Sequence, residues 1–153
     1  MSAADDARIQ GLVSIRVGGE TFGVPVLSVQ DVIAPVRIDV VPLAPDEVAG
    51  SLNLRGRIVT AVCARRRLGL PPREEGAPEP LAIGLEVHGD SYGLVIDSVD
   101  EVLKLDDEKF HAPPGNLPPR WAEIIVGVYQ LEKELLIVLD PHTLLDAAHL
   151  KAA

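Results

Sequence analysis

One cysteine, Cys63, occurs in 153 residues; an internal disulfide and a cysteine-rich metal cluster are thereby excluded, and a reducing compartment is expected. We read Cys63 as a small buried apolar residue. Aromatic residues are scarce as well: Phe22, Tyr92, Phe110, Trp121 and Tyr129 are too scattered to form a platform on which bases stack. Positive charge is in the minority, 14 Lys and Arg against 23 Asp and Glu, for a formal net charge of −9. A nucleic acid partner would need a basic stripe to release counterions, so none is expected. The basic cluster Arg65-Arg66-Arg67, with Arg55, Arg57 and Arg73 near it in the chain, is read as a solvated turn rather than a phosphate site. Long apolar runs are missing too. Pro, Gly and charges interrupt each of them well short of the roughly 20 residues of a membrane helix, and the first ten residues lack the basic start and apolar stretch of a secretory signal. The expectation is a cytoplasmic protein with no direct membrane insertion.

What is present is a succession of short, alternating apolar segments separated by turn residues, the pattern of an all-β chain. The length suits one domain, set at residues 9–150, with residues 1–8 a frayed, flexible start. Gly11 to Val17 and Thr21 to Val26 flank Gly18-Gly19-Glu20 as a hairpin. Val29 to Ile33 continues the pattern, and Pro45-Asp46-Glu47-Val48 opens a short helical turn. Gly50 to Leu70 is the central stretch. Its runs Ser51 to Leu54 and Ile58 to Cys63 flank Arg55-Gly56-Arg57, where Gly56 supplies the left-handed backbone of a tight reversal and Arg55 emerges at the shoulder. Pro71 to Pro80 is a loop. Leu81 to Val87 and Ser91 to Ile96 form a hairpin about His88-Gly89-Asp90, and Val99 to Leu105 a further strand. Asp106 to Arg120 is a Pro-rich loop. Ile124 to Leu131 and Glu134 to Leu139 make the last hairpin, and Thr143 to Lys151 a closing helix.

An internal repeat organises these segments. Phe22 to Ile33 aligns with Tyr92 to Leu103, with aromatic-Gly, Ser-Val and acid-Val-aliphatic recurring in register. Gly50 to Leu54 and Ile58 to Cys63 align with Gly127 to Leu131 and Leu135 to Asp140. Two copies of about five short strands, each too small to stand alone, predict two β-barrels sharing a core, with a groove at their seam.

No catalytic constellation accompanies the repeat. There is no Gly-x-Ser-x-Gly, no phosphate-cradling glycine loop and no His-Glu-x-x-His. His88, His111, His142 and His149 fall in loops or the final helix, and His142, two residues from Asp140, is read as a helix-start residue rather than half of an acid-base pair. Asp97 and Asp140 are read as strand-end turn residues. No enzyme activity, metal or cofactor is expected.

Five segments in order resemble the CheW family of chemotaxis coupling proteins: the Gly18-Gly19-Glu20 hairpin, Val29-Gln30-Asp31-Val32-Ile33, Asn53-Leu54-Arg55-Gly56, Gly93-Leu94-Val95-Ile96-Asp97-Ser98-Val99, and Leu135-Leu136-Ile137-Val138-Leu139-Asp140. The likeness spans Gly11 to Leu145. It implies two five-stranded SH3-like barrels without catalytic activity, a monomer when isolated, and an adaptor that joins the regulatory domain of the histidine kinase CheA to the cytoplasmic tips of methyl-accepting chemoreceptors in membrane-anchored arrays. It also implies partner-binding roles for Arg55 and Asn53 and for Val26, Val29, Val32 and Val99, some of which should line the seam that takes a receptor's helical tip. Thr60, Ala61, Val62 and Cys63-Ala64-Arg65 depart from the family's usual Pro, two aliphatics and Asp-Leu-Arg. A turn without the acid that Asp140 keeps in the second copy is expected to be looser. Two other functions are consistent with the residues alone: a small-ligand-binding barrel module with its pocket at the seam, and a regulatory module that binds a kinase but no receptor.

Overall fold

The computed structural model describes residues 11–34, 36–104, 107–113 and 115–145. The expected flexible start at 1–8 and the closing helix beyond Leu145 lie outside them. Eleven strands fall in two sheets among the described residues. In chain order they are β1 (Leu12–Val17), β2 (Glu20–Pro25), β3 (Val29–Ile33), β4 (Val48–Leu54), β5 (Arg57–Cys63), β6 (Leu81–Val87), β7 (Asp90–Ile96), β8 (Ser98–Leu103), β9 (Phe110–His111), β10 (Ile125–Gln130) and β11 (Leu135–Leu139). Three short helices are α1 (Ala64–Leu68), α2 (Pro119–Ala122) and α3 (Pro141–Leu144).

The hairpins form where Gly-containing pairs supply positive φ. Gly18 and Gly19 (φ 62 and 83), Arg55 and Gly56 (52 and 84) and His88 and Gly89 (51 and 82) are the two-residue turns of β1–β2, β4–β5 and β6–β7, the mirror-image type whose twist matches the flanking strands. The helical turn expected at Pro45 is instead a single reversal, with the Val48 N–H bonded to the Pro45 carbonyl at 2.9 Å, and β4 begins at Val48. Inside the segment read as a Pro-rich loop, Phe110 and His111 pair with Tyr129 and Val128 as β9. Two residues are too few to show an alternation.

The sheets do not separate the two copies. One has the order β8-β1-β2-β11-β10-β9, the other β3-β6-β7-β5-β4. Each therefore takes the opening hairpin from one copy and the third strand and last hairpin from the other. The register repeats with the sequence: Thr60 faces Tyr92 and Ala61 faces Gly93 in one sheet, while Ile137 faces Phe22 and Val138 faces Gly23 in the other. Val29 opposite Leu85 likewise matches Val99 opposite Ile15. Gly93 leaves room for the buried Leu52 across the sheet, since a Cβ there would lie 2.5 Å from Leu52 Cδ2 and force that side chain to shift.

Strands buried on both faces explain the apolar runs. Ile15, Phe22 and Val24 from one sheet and Val62, Ile83, Leu85, Leu94 and Ile96 from the other form a shared core with Leu68 and Leu144 of the helices. On its opposite face each sheet holds a smaller cluster: Leu52, Leu54, Val59, Ala61, Ala82 and Val95 in one, Leu12, Tyr129, Leu136 and Val138 in the other.

The arginine cluster is not the solvated turn that its composition suggests. It lies in α1, closed by Gly69 at φ 71, and each arginine reaches a different segment. Arg67 is only 8% exposed and donates from Nε to the Leu144 carbonyl at 2.9 Å and from Nη2 to that of Thr143 at 3.0 Å. Arg65 bonds both oxygens of Asp97, at 3.1 and 2.7 Å, and the Pro71 carbonyl at 2.8 Å. Arg66 meets the Asp46 carbonyl at 3.2 Å. Carbonyls at a helix C-terminus carry partial negative charge, which is why a guanidinium can be buried against α3. Cys63, only half-buried, starts α1 without a side-chain cap, whereas Asp140 caps α3 by accepting the His142 N–H at 3.0 Å. That bond uses the backbone of His142, not its ring.

Candidate partner-binding surface

Arg55 is placed by the β4–β5 turn. Its side chain is 70% exposed, and its Nε donates to Asp31 Oδ2 at 2.9 Å, with Nη2 at 3.4 Å from the Gln30 carbonyl. β3 and β4 are the two outer strands of their sheet, and this ion pair ties the turn that follows β4 to β3. The Arg55 guanidinium first, then the Val32 N–H, hold the Asp31 carboxyl below its ordinary value. Asn53 sits beneath the same turn. Its Oδ1 accepts the Gly56 N–H at 2.7 Å, so it fixes the shoulder from which Arg55 projects.

Around Arg55 lies a cleft of about 360 Å³ lined by Gln30, Leu54, Arg57, Val59 and Ser91. Its polar wall is a chain of bonds: Ser91 Oγ donates to Gln30 Oε1 at 3.1 Å, and Gln30 Nε2 to Glu86 Oε2 at 2.8 Å. Val32, 48% exposed, is the β3 residue next to Asp31. The structure thus brings Arg55 and Asn53 together at one turn, while the Val32 side chain, adjacent to Asp31 in β3, points to the opposite face of the strand. Val26 and Val29 are partly buried against the shared core, and so is Val99 on β8 of the other sheet.

Sequence reasoning passed over Gln30 and Asp31 as the groups that orient Arg55. The signal was there, an acid inside the repeated β3 pattern, but nothing local says which turn it meets. Exposed apolar side chains also recur in equivalent pairs, of which the sequence reading selected only Val32: Val32 with Val102, and Ile58 (71% exposed) with Leu135. A further cleft of about 510 Å³, lined by Val41, Leu43, Val48, Ile58 and Val59 among others, lies over β4–β5.

Asp97 organises the opposite end of the molecule. It accepts the Gly18 N–H at 2.9 Å and pairs with Arg65 at 2.7 Å and Arg73 at 3.3 Å. Burial pushes its carboxyl up, but the Arg65 and Gly18 hydrogen bonds and the two guanidinium charges outweigh that and leave it below the ordinary carboxylate value. These bonds tie the β1–β2 turn to α1, a structural task. Among the described residues no group of three or more His, Cys, Asp or Glu could hold a metal ion, and no helix is long and apolar enough to cross a membrane.

Residues 11–149 match the family model of the CheW-like domain. The chain is 30% identical over 152 residues to the chemotaxis protein CheW of Treponema pallidum, covering 97% of this chain and 89% of that one. It is 28% identical to chemotaxis protein CheW of Klebsiella aerogenes, covering 90% and 82%. In fold it is similar to the crystal structure of the scaffolding protein TtCheW from Thermoanaerobacter tengcongensis, with a TM-score of 0.80 at 24% identity over 92% and 94% of the two chains. With its β-sheets, their register and the whole-length match in agreement, the chain belongs to the CheW-like family.

Proposed function

We propose that the chain is a non-catalytic adaptor of bacterial chemotaxis, joining the regulatory domain of the histidine kinase CheA to the cytoplasmic tips of methyl-accepting chemoreceptors. The observation that carries this reading is the duplication of the surface. Each half presents exposed apolar residues at equivalent positions, Val32 and Val102 on β3 and β8, Ile58 and Leu135 on β5 and β11, and a protein that holds two partners at once needs two such faces. Membership of the CheW-like family supports the same reading, as do relatives named as chemotaxis proteins. Arg55, Asn53 and Val32 are the residues through which we expect one partner to be met, with Val26, Val29 and, on the other sheet, Val99 as further apolar positions packed on the shared core. Under this reading the protein works in the cytoplasm, at arrays whose membrane anchors belong to its partners.

The test is co-purification of the tag-free chain with a CheA regulatory domain and with a receptor signalling tip from the same cell, separately and together. Binding to each alone, and one complex containing all three, is the expected outcome. Binding to the kinase but never to the tip would replace the adaptor with a kinase-sequestering module, and binding to neither would remove both.

A further inference from the structure

The two copies differ in chemistry at one equivalent place. In the first, the β1–β2 turn is joined to α1 by the Gly18 N–H and Arg65 meeting on Asp97. The positions equivalent to Gly18 and Arg65 in the second copy are His88, in the β6–β7 turn, and His142, in α3. Their rings face each other with centroids 4.5 Å apart at 51°, and His142 Nδ1 lies 3.1 Å from His88 Nε2. Both side chains are exposed, at a cleft of about 330 Å³ also lined by Asp90, Tyr92 and Thr143.

We propose that His88 Nε2 and His142 Nδ1 are the protein ligands of a site for one borderline divalent transition-metal ion, with Zn²⁺ as the type. Imidazole binds Zn²⁺ at about 2.0–2.1 Å, so two ring nitrogens in a tetrahedral shell stand about 3.3 Å apart, and adjacent ligands of a square-planar ion about 2.9 Å apart. The observed 3.1 Å lies between the two. The 3.1 Å contact is a hydrogen bond with one N–H between the rings, so metal binding requires that ring to shift its proton to the outer nitrogen and both rings to rotate until the two inner lone pairs meet at a common point in solvent. The backbones are already held. His88 is confined to φ 51 before Gly89 at φ 82. The His142 N–H and the Thr143 hydroxyl are bound by the Asp140 carboxylate at 3.0 and 3.2 Å. No third His, Cys, Asp or Glu completes a protein cage among the described residues, so water fills the remaining positions, and the Asp90 carboxylate on the cleft wall favours a cation there.

Calorimetry of the tag-free full chain with ZnCl₂ at neutral pH tests the site, set against His88→Asn, His142→Gln and the double variant. Asparagine is chosen at position 88 because it tolerates positive φ. One Zn²⁺ per chain is expected, weakened on the order of tenfold or more by either change, with Ni²⁺ and Cu²⁺ also bound and Mg²⁺, an oxygen-seeking ion, not. Imidazole NMR signals of the parent give a second readout that needs no variant: Zn²⁺ should shift His88 and His142 and leave His111 and His149 in place. Undiminished binding by the double variant, selective shifts of His111 or His149, or no saturable binding at millimolar Zn²⁺ would each overturn the proposal.

Discussion

Arg55 combines two features that usually exclude each other, high exposure and a defined orientation. At 70% exposure its pair with Asp31 contributes little to folding, since solvent screens such bonds, but the pair holds a long side chain extended over β3. Arg55→Ala is therefore expected to leave the thermal midpoint within a few degrees of the parent, and to weaken the kinase–receptor assembly roughly 30-fold. Arg55→Glu should be worse, because it sets a second carboxylate against Asp31. Lysine should restore only part of the affinity, keeping the charge without the fork. Equal binding by the parent and a folded Glu variant would remove Arg55 from the partner surface. Asp97 makes a different contribution. Its folded carboxyl is depressed below the ordinary 3.8, so the stability it supplies is complete above that value and is lost as pH falls through the folded one. Between pH 7 and pH 5 the denaturant midpoint should be unaffected by this group. Below about pH 4 it should fall more steeply in the parent than in Asp97→Asn; parallel profiles would show that the carboxylate is not held by its arginines.

At the scale of elements, the short helices act as mutual caps. Arg67 of α1 closes the last carbonyls of α3, and Trp121 of α2 donates from Nε1 to the Leu68 carbonyl at the end of α1, at 2.6 Å. Helices of four or five residues have no stability of their own, so these bonds hold them on the shared core. Arg67→Ala should cost about 2–3 kcal/mol in urea unfolding, because it strands the buried Leu144 carbonyl and the partly buried one of Thr143 and empties the space of the side chain. Arg67→Lys should recover part of this, and a change below about 0.5 kcal/mol would show that water replaces the guanidinium. The hairpins were legible in the sequence because each depends on residues a few positions apart. The turn glycines and the alternation of Ile15 and Val17, or of Leu94 and Ile96, need no distant partner. The arginine cluster was misread for the opposite reason: α1 and α3 are far apart in the chain, and three adjacent arginines look the same in a solvated turn as against another helix.

For the whole molecule, the consequence of the mixed sheets is cooperativity. Neither copy can complete a sheet alone, since β1 and β2 pair with β8 and β11, and β3 and β5 with β6 and β7. Urea unfolding should be one transition by every probe. A chain divided in the 71–80 loop should give two fragments that are unfolded apart, with poorly dispersed amide spectra, and that restore the parent spectrum when refolded together. Dispersed spectra from either fragment alone would mean that a copy is an independent unit and that the sheets are not interdependent.

The residue pattern alone establishes an all-β protein built by duplication. It also determines which loops reverse the chain, and that Arg55 leaves the central hairpin at an exposed shoulder. Those properties arise from local backbone preference and short-period burial, which a string of residues records directly. Folding in three dimensions sets the rest: each sheet is assembled from both copies, Asp31 is the group holding Arg55, Arg67 is buried, and His88 and His142 stand within hydrogen-bonding distance. Each of these depends on pairing between segments tens of residues apart. The repeat made the two copies equivalent without saying which strands pair, and the burial of both faces of the sheets selected the mixed arrangement, in which a single core is shared.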